Sequence, residues 1–77
     1  MPDLYEALGW IGTRLDDVHG TRVGTVADLY VDHGRPEALV VRAGRLRHRE
    51  LVVAVAEVER RQRLLSRVPR LRLRPGA

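Results

Sequence analysis

Gly20-Thr21-Arg22-Val23-Gly24-Thr25-Val26-Ala27-Asp28-Leu29-Tyr30-Val31-Asp32 is the stretch on which the fold turns. A turn-forming glycine opens it, β-branched and aromatic residues fill it, and an aspartate ends it. β-Branched side chains lose rotamer freedom in a helix but pack well on a pleated surface. The run therefore predicts one long strand from about Arg22 to Asp32. Its alternation is imperfect. Val23, Thr25, Ala27, Leu29 and Val31 share one parity, while Val26 and Tyr30 fall on the other. Gly24 and its small neighbours offer room for a β-bulge, which would switch the inward-facing parity and bend the strand. Bends of this kind occur where a sheet curls toward a barrel. Asp28 stands mid-strand, where aspartate is disfavoured, and its expected task is to accept hydrogen bonds from donors that the bulge leaves unpaired.

Upstream, Trp10 to Leu15 reads as a partner strand, joined to the long one through the turn formers Asp16, Asp17, His19 and Gly20. Before it, residues 1–9 carry the signals of a short helical turn. Asp3 is placed to cap it, Glu6 to reach back as in a capping box, and Gly9 to stop it. Leu4, Tyr5 and Leu8 are its expected docking face, since one or two turns are not stable alone. A frayed tail is the competing reading.

Downstream, His33-Gly34-Arg35-Pro36 is a turn, and Glu37 to Arg42 a third strand with an apolar middle. Ala43 to Arg47 forms a basic loop. His48 to Val55 is a fourth strand that is apolar on both parities. One of its faces meets the core, and the other needs a helix, the N-terminal segment or another protein chain. From Ala56 to Val68 two readings stand. Strong helix formers and the i,i+4 pairs Glu57–Arg61 and Glu59–Arg63 favour a helix ended by Pro69. The alternative is a strand near Glu57–Glu59, a turn, and a last strand over Arg63–Val68. The tail from Arg70 to Arg74 alternates with period two between prolines. It suits an edge strand, or a segment disordered until bound.

Seventy-seven residues form one domain, and a chain of this size buries only about 60% of its unfolded surface. With eleven Val, eleven Leu, two Tyr, one Trp and no Phe, the core is thin, and partner chains would supply the missing burial. The lack of Cys excludes disulfides, thiolate metal sites and thiol nucleophiles, and it fits a cytoplasmic location. Residues 1–20 hold neither a basic leader region nor a long apolar run, so no secretory signal is expected. The longest apolar run, Leu51 to Ala56, falls far short of the ~20 residues of a membrane helix.

Charge divides the chain. Through Gly34, two Arg face six acids, giving −4; from Arg35 onward, twelve Arg face four Glu, giving +8. Such a half attracts acidic partners, including RNA, anionic membranes and acidic proteins.

The pattern Leu8-Gly9-Trp10-Ile11-Gly12-Thr13-Arg14-Leu15, Gly20, Val23 to Asp32, Ala38 to Val41 and Glu50 to Val53 resembles the PRC-barrel domain family over roughly residues 8–68. The most specific part is the pattern through Gly24, Val26, Asp28 and Asp32. The Arg35-Pro36-Glu37 turn and the basic Arg45–Arg49 loop look like small stand-alone actinobacterial members. The resemblance implies an all-β fold: a small, strongly bent antiparallel sheet closing into a barrel. The short N-terminal helical turn would occupy 1–9, the barrel 10–68, with a C-terminal helix as one option, and an Arg/Leu/Pro-rich tail 69–77. In the reaction-centre H subunit and in a ribosome maturation factor such domains dock. The implied role is therefore docking, with Gly20, Gly24, Val26, Asp28 and Asp32 as structural residues. The sequence departs from the family pattern at Ala54, where many relatives have proline, and in the charged stretch Glu57–Val68.

No catalytic constellation is present. The single serine, Ser66, lies among arginines without a nearby histidine. His19, His33 and His48 stand in turns without metal-ligand spacing. No phosphate-cradling glycine motif surrounds Gly20 or Gly24, so no catalyst, cofactor, metal or small-molecule substrate is expected. The expected function is protein–protein association, with a second copy as the leading partner, through Arg42, Arg45, Arg47, Arg49, Leu51 and Val53. The alternative is binding to RNA or the ribosome through the arginine-rich half, which contains no aromatic stacking platform. Docking on a membrane surface through residues 60–74 ranks third.

Overall fold

The computed structural model describes residues 2–44, 47–61 and 70–75. A short helix, α1 (Leu4–Leu8), precedes β1 (Arg14–Asp16), β2 (Arg22–Asp32), β3 (Arg35–Ala43) and β4 (Arg49–Ala54). A 3-10 turn (Val55–Glu57) then leads to β5 (Val58–Arg61) and, later, β6 (Arg70–Leu73). The six strands form one open, strongly curled half-barrel sheet in the order β4-β3-β2-β1-β6-β5.

The long strand falls where the sequence places it, and it owes its curl to two bulges. Opposite β1, Leu15 pairs with Gly24 and Asp16 with Arg22, which leaves Val23 extra. Opposite β3, Val26 pairs with Val41 and Asp28 with Val40, which leaves Ala27 extra. The second bulge explains the broken alternation. Val26 before it and Leu29 after it both turn toward the core, although their parities differ. The expected bulge near Gly24 is thus a pair of bulges flanking it. Gly24 itself has another task. A Cβ there would come within 2.8 Å of Val41 Cγ1 and closer still to the Arg42 carbonyl oxygen, so only glycine lets β2 approach β3 this tightly.

Beyond Asp32, His33 and Gly34 have φ of 49° and 76°, and Asp32 pairs with Arg35. Two central residues with positive φ mark the type I′ hairpin, whose twist matches that of the strands. Arg35 and Pro36, expected in the turn, already belong to β3. Pro36 opposes Val31 beside a second β3 irregularity at Glu37, a position where a strand tolerates proline. The β1–β2 connection is held by Asp17. Its Oδ1 accepts from the amides of His19 and Thr21, each at 2.9 Å. The Thr21 hydrogen bond is the main reason its pKa lies below the usual 3.8, with the His19 amide and the charges of His19 and Arg72 adding to it.

The core lies on the concave face. Leu15, Val26, Leu39, Val41, Val58 and Leu71 come from the strands, Val55 from the 3-10 turn, and Ala7 and Trp10 from the N-terminal segment. The indole Nε1 of Trp10 is buried without a hydrogen-bond partner among the described residues.

Several expectations need correction. The sheet is open, with β4 and β5 at its edges, and it is not wholly antiparallel, because β6 runs parallel to β1. The alternating Arg70–Leu73 segment, expected at an edge or outside the sheet, lies between β1 and β5. Leu71 is fully buried opposite Leu15, so its apolar parity completes the core while Arg72 packs its guanidinium over Gly20. The described start of the 56–68 segment is a 3-10 turn followed by strand, not helix; Gln62 to Val68 lie outside the described residues. β-Branched Val58 opposite Leu73 joins the core there, which overrides the local helical propensity. The first strand is shorter than expected, because Trp10 to Gly12 turn instead, the Thr13 amide donating to the Trp10 carbonyl at 2.9 Å.

In α1, Asp3 accepts from the Glu6 amide at 2.7 Å, as the capping pattern predicts. Glu6 does not reach back. Its carboxylate accepts from Arg60 Nη1 at 3.1 Å and so ties α1, which packs on β3, to the β5 edge. Ala7 is the buried helix residue, whereas Tyr5 and Leu8 face outward, contrary to the expected docking face.

Candidate functional site

Among the described residues β4 is an edge strand, paired on one side only. Leu39 faces Val53, Val40 faces Val52 and Val41 faces Leu51. Its free side presents unpaired amides and carbonyls along Arg49–Ala54, the arrangement to which another strand adds. Edge strands are commonly blunted by charge, proline or covering loops. Here Arg49 and Glu50 supply charge at the entry, and the four following residues are Leu51, Val52, Val53 and Ala54.

The register sorts their faces. Residues directly opposite in an antiparallel pair share a face. Leu51 and Val53 thus lie on the concave side with Val41 and Leu39. Val52 lies on the convex side with Val40 and Asp28, and Ala54 with Ala38 and Tyr30. The concave residues are only partly covered, Leu51 remaining 42% exposed. On the convex side Val52 is 65% and Tyr30 57% exposed. The apolar edge is therefore unpaired on its rim among the described residues, with Leu51 and Val52 exposed on opposite faces.

Of the residues expected to meet a partner, Arg42, Arg47 and Arg49 are exposed around the β3–β4 connection, Leu51 is exposed and Val53 half-buried. Arg45 lies outside the described residues. The sequence reading left out Val52 and Tyr30. The signal for Val52 was present, since β4 is apolar on both parities and only one of them can face the core. Tyr30 becomes an outward residue through the Ala27 bulge, whose place no periodicity marks.

The residues assigned structural roles lie along β2 and in the turn before it. Gly20 takes φ 82° in the turn, Gly24 sits at the close strand approach, and Val26 is buried in the core. Asp28 is exposed next to the Ala27 bulge, and its Oδ1 accepts from the Leu29 amide at 2.8 Å. Asp32 ends the strand with its Oδ1 2.9 Å from His33 Nδ1. No group of three or more His, Asp or Glu side chains among the described residues is arranged to hold a metal ion. No helix among them is long and apolar enough to cross a membrane.

No protein-family model, curated protein or solved structure matches the chain.

Proposed function

We propose that this chain is a non-catalytic interaction module of the PRC-barrel kind, and that it associates with a second copy of itself through β4. The observation that carries the reading is the apolar edge Leu51–Ala54, unpaired on its rim among the described residues, with Leu51 and Val52 exposed on opposite faces.

Self-pairing is limited by geometry. A two-fold axis perpendicular to the sheet keeps concave face with concave face only if paired residues have the same parity. Four centres inside the strand meet that condition, of which Val53 would set Leu51 against Val55, in the 3-10 turn beyond the strand's end. Centring on Glu50 sets two carboxylates opposite each other, which is unfavourable. Centring on Leu51 brings Arg49 against Val53. Centring on Val52 sets Leu51 against Val53 and Val52 against itself, so the large apolar residues meet in the middle while Glu50 falls against Ala54. The last register is the favoured one. It would continue the curled sheet across both copies and cover Leu51 and Val52 together.

Sedimentation equilibrium over a wide concentration range tests the reading. The expected result is a reversible dimer for the wild-type chain and a monomer for Val52→Lys with an unchanged circular dichroism spectrum. A wild-type chain that stays monomeric at high concentration would remove self-association.

A further inference from the structure

A second feature lies beyond the β4 edge and is independent of it. Arg22, Val23, Gly24, Arg42 and Gly44 bound a cleft of about 190 Å³. Its two cations come from neighbouring strands. Arg22 Nη2 donates to Thr25 Oγ1 at 2.8 Å, and Thr25 is the residue opposite Arg42 in the β2–β3 ladder. The hydroxyl therefore anchors one guanidinium in the row that carries the other, and it occupies only one of Arg22's donors.

Arg14 pairs with Asp16 and Arg60 with Glu6, whereas neither Arg22 nor Arg42 makes a carboxylate ion pair among the described residues. Asp16, opposite Arg22 on β1, pairs through Oδ1 with Arg14. Glu50, opposite Arg42 on β4, makes no ion pair with it. The cleft is thus bounded by two guanidiniums that make no carboxylate ion pair, with Asp16 and Glu50 standing opposite them in the neighbouring strands. Its wall contains two glycines, so backbone rather than side chain lines part of it.

From this arrangement we infer that the cleft binds a dianionic phosphate group, as inorganic phosphate or as a phosphate monoester. A guanidinium presents N–H donors in a planar fork that matches oxyanion geometry, and charge-assisted hydrogen bonds are the strong ones. Two forks from two strands match a group carrying two charges and three or four acceptor oxygens. A carboxylate, with one charge and two oxygens, engages one fork. A phosphodiester, with one charge and two free oxygens, is equally mismatched, which sets the cleft apart from a site for nucleic-acid backbone.

The test is an amide-resolved NMR titration at constant ionic strength, with inorganic phosphate, phenyl phosphate, dimethyl phosphate and acetate as the four probes. Phosphate and the monoester should give saturable shifts at the Val23, Gly24 and Gly44 amides, with at least tenfold weaker binding for dimethyl phosphate and acetate. Monoester binding tighter than phosphate would identify the monoester as the natural source, and the reverse order the free ion; both outcomes support the site. Arg22→Gln and Arg42→Gln should each abolish saturation while retaining a dispersed spectrum, whereas Arg49→Gln should behave as wild type. Val52→Lys should bind phosphate unchanged, which separates this site from the association through β4. The inference is overturned by non-saturable shifts, by equal affinity for the diester or acetate, or by unaltered binding in Arg42→Gln.

Discussion

At Gly24 the side chain matters by its absence. An added Cβ would collide with the Arg42 carbonyl oxygen and with Val41 Cγ1, and both belong to the strand against which β2 must close. Neither is the free end of a flexible chain, so the backbone has to move. Gly24→Ala should destabilise the fold by about 1–3 kcal/mol, the usual range for overpacking a tight interior, as measured by urea denaturation. An unchanged midpoint would show that the strands do not approach this closely. Asp17 acts by charge. Its pKa is depressed, chiefly by the Thr21 amide, so the folded state favours the ionised form. The resulting stabilisation is complete above the ordinary value of 3.8 and is lost as pH falls through the lower folded value. Asp17→Asn should therefore lose stability relative to wild type at neutral pH. The gap should narrow as acid protonates the native carboxyl, which thermal melts across that range would register. A gap that widened toward low pH would contradict the assignment. The turn role of residues 17–20 was legible from residue types, because Asp, His and Gly favour turns through known local hydrogen bonds and positive φ. The need for glycine at position 24 was legible only as a bend, since what it excludes comes from a strand about eighteen residues away.

Among the elements, β2 controls the outcome. The Ala27 bulge makes Val26 and Leu29 neighbours on one face despite opposite parity, and it leaves Asp28 beside the Leu29 amide. A one-residue slip in a strand sends every following side chain to the other face. Deleting Ala27 should thus push Leu29 out of the core and bring Asp28 toward it. Cooperative unfolding should disappear, and fluorescence of the buried Trp10 should shift toward that of solvent-exposed tryptophan. A deletion variant with the wild-type melt would mean that the bulge is dispensable. At the N-terminus, the bridge from Glu6 to Arg60 joins exposed groups, and such pairs contribute about 0.2–1 kcal/mol. Glu6→Gln should lower stability by no more than that, so α1 is held mainly by Ala7 and by Trp10 just beyond it. The strands β2, β3 and β4 were readable from β-branched runs bounded by glycine and proline. The Val58–Arg61 strand was legible only as the alternative near Glu57–Glu59, because Glu and Arg favour helix locally while the pairing of Val58 with Leu73 is long-range.

On the scale of the whole molecule, the sheet curls far enough to wrap a small core but leaves two edges. The meander β2-β3-β4 was expected. The return of β5 and β6 to the far side of β1 was not, because parallel pairing between Leu15 and Leu71 leaves no local mark in either segment. The thin core and the doubly apolar β4 were visible from the start. With the sheet in place, the surplus apolar surface becomes a particular edge, with Leu51 and Val52 at its centre. The cleft between Arg22 and Arg42 arises from strand register, and the scattered arginines of the sequence did not mark it. On the proposed function, β4 is the joint between two copies. In an antiparallel ladder, alternate amides of Arg49–Ala54 point away from β3. Hydrogen exchange of those outward amides, followed by NMR at high and low protein concentration, tests the joint most directly. Protection that grows with concentration, and is absent at every concentration in Val52→Lys, is the predicted result. Exchange that is fast and independent of concentration in the wild-type chain would contradict it.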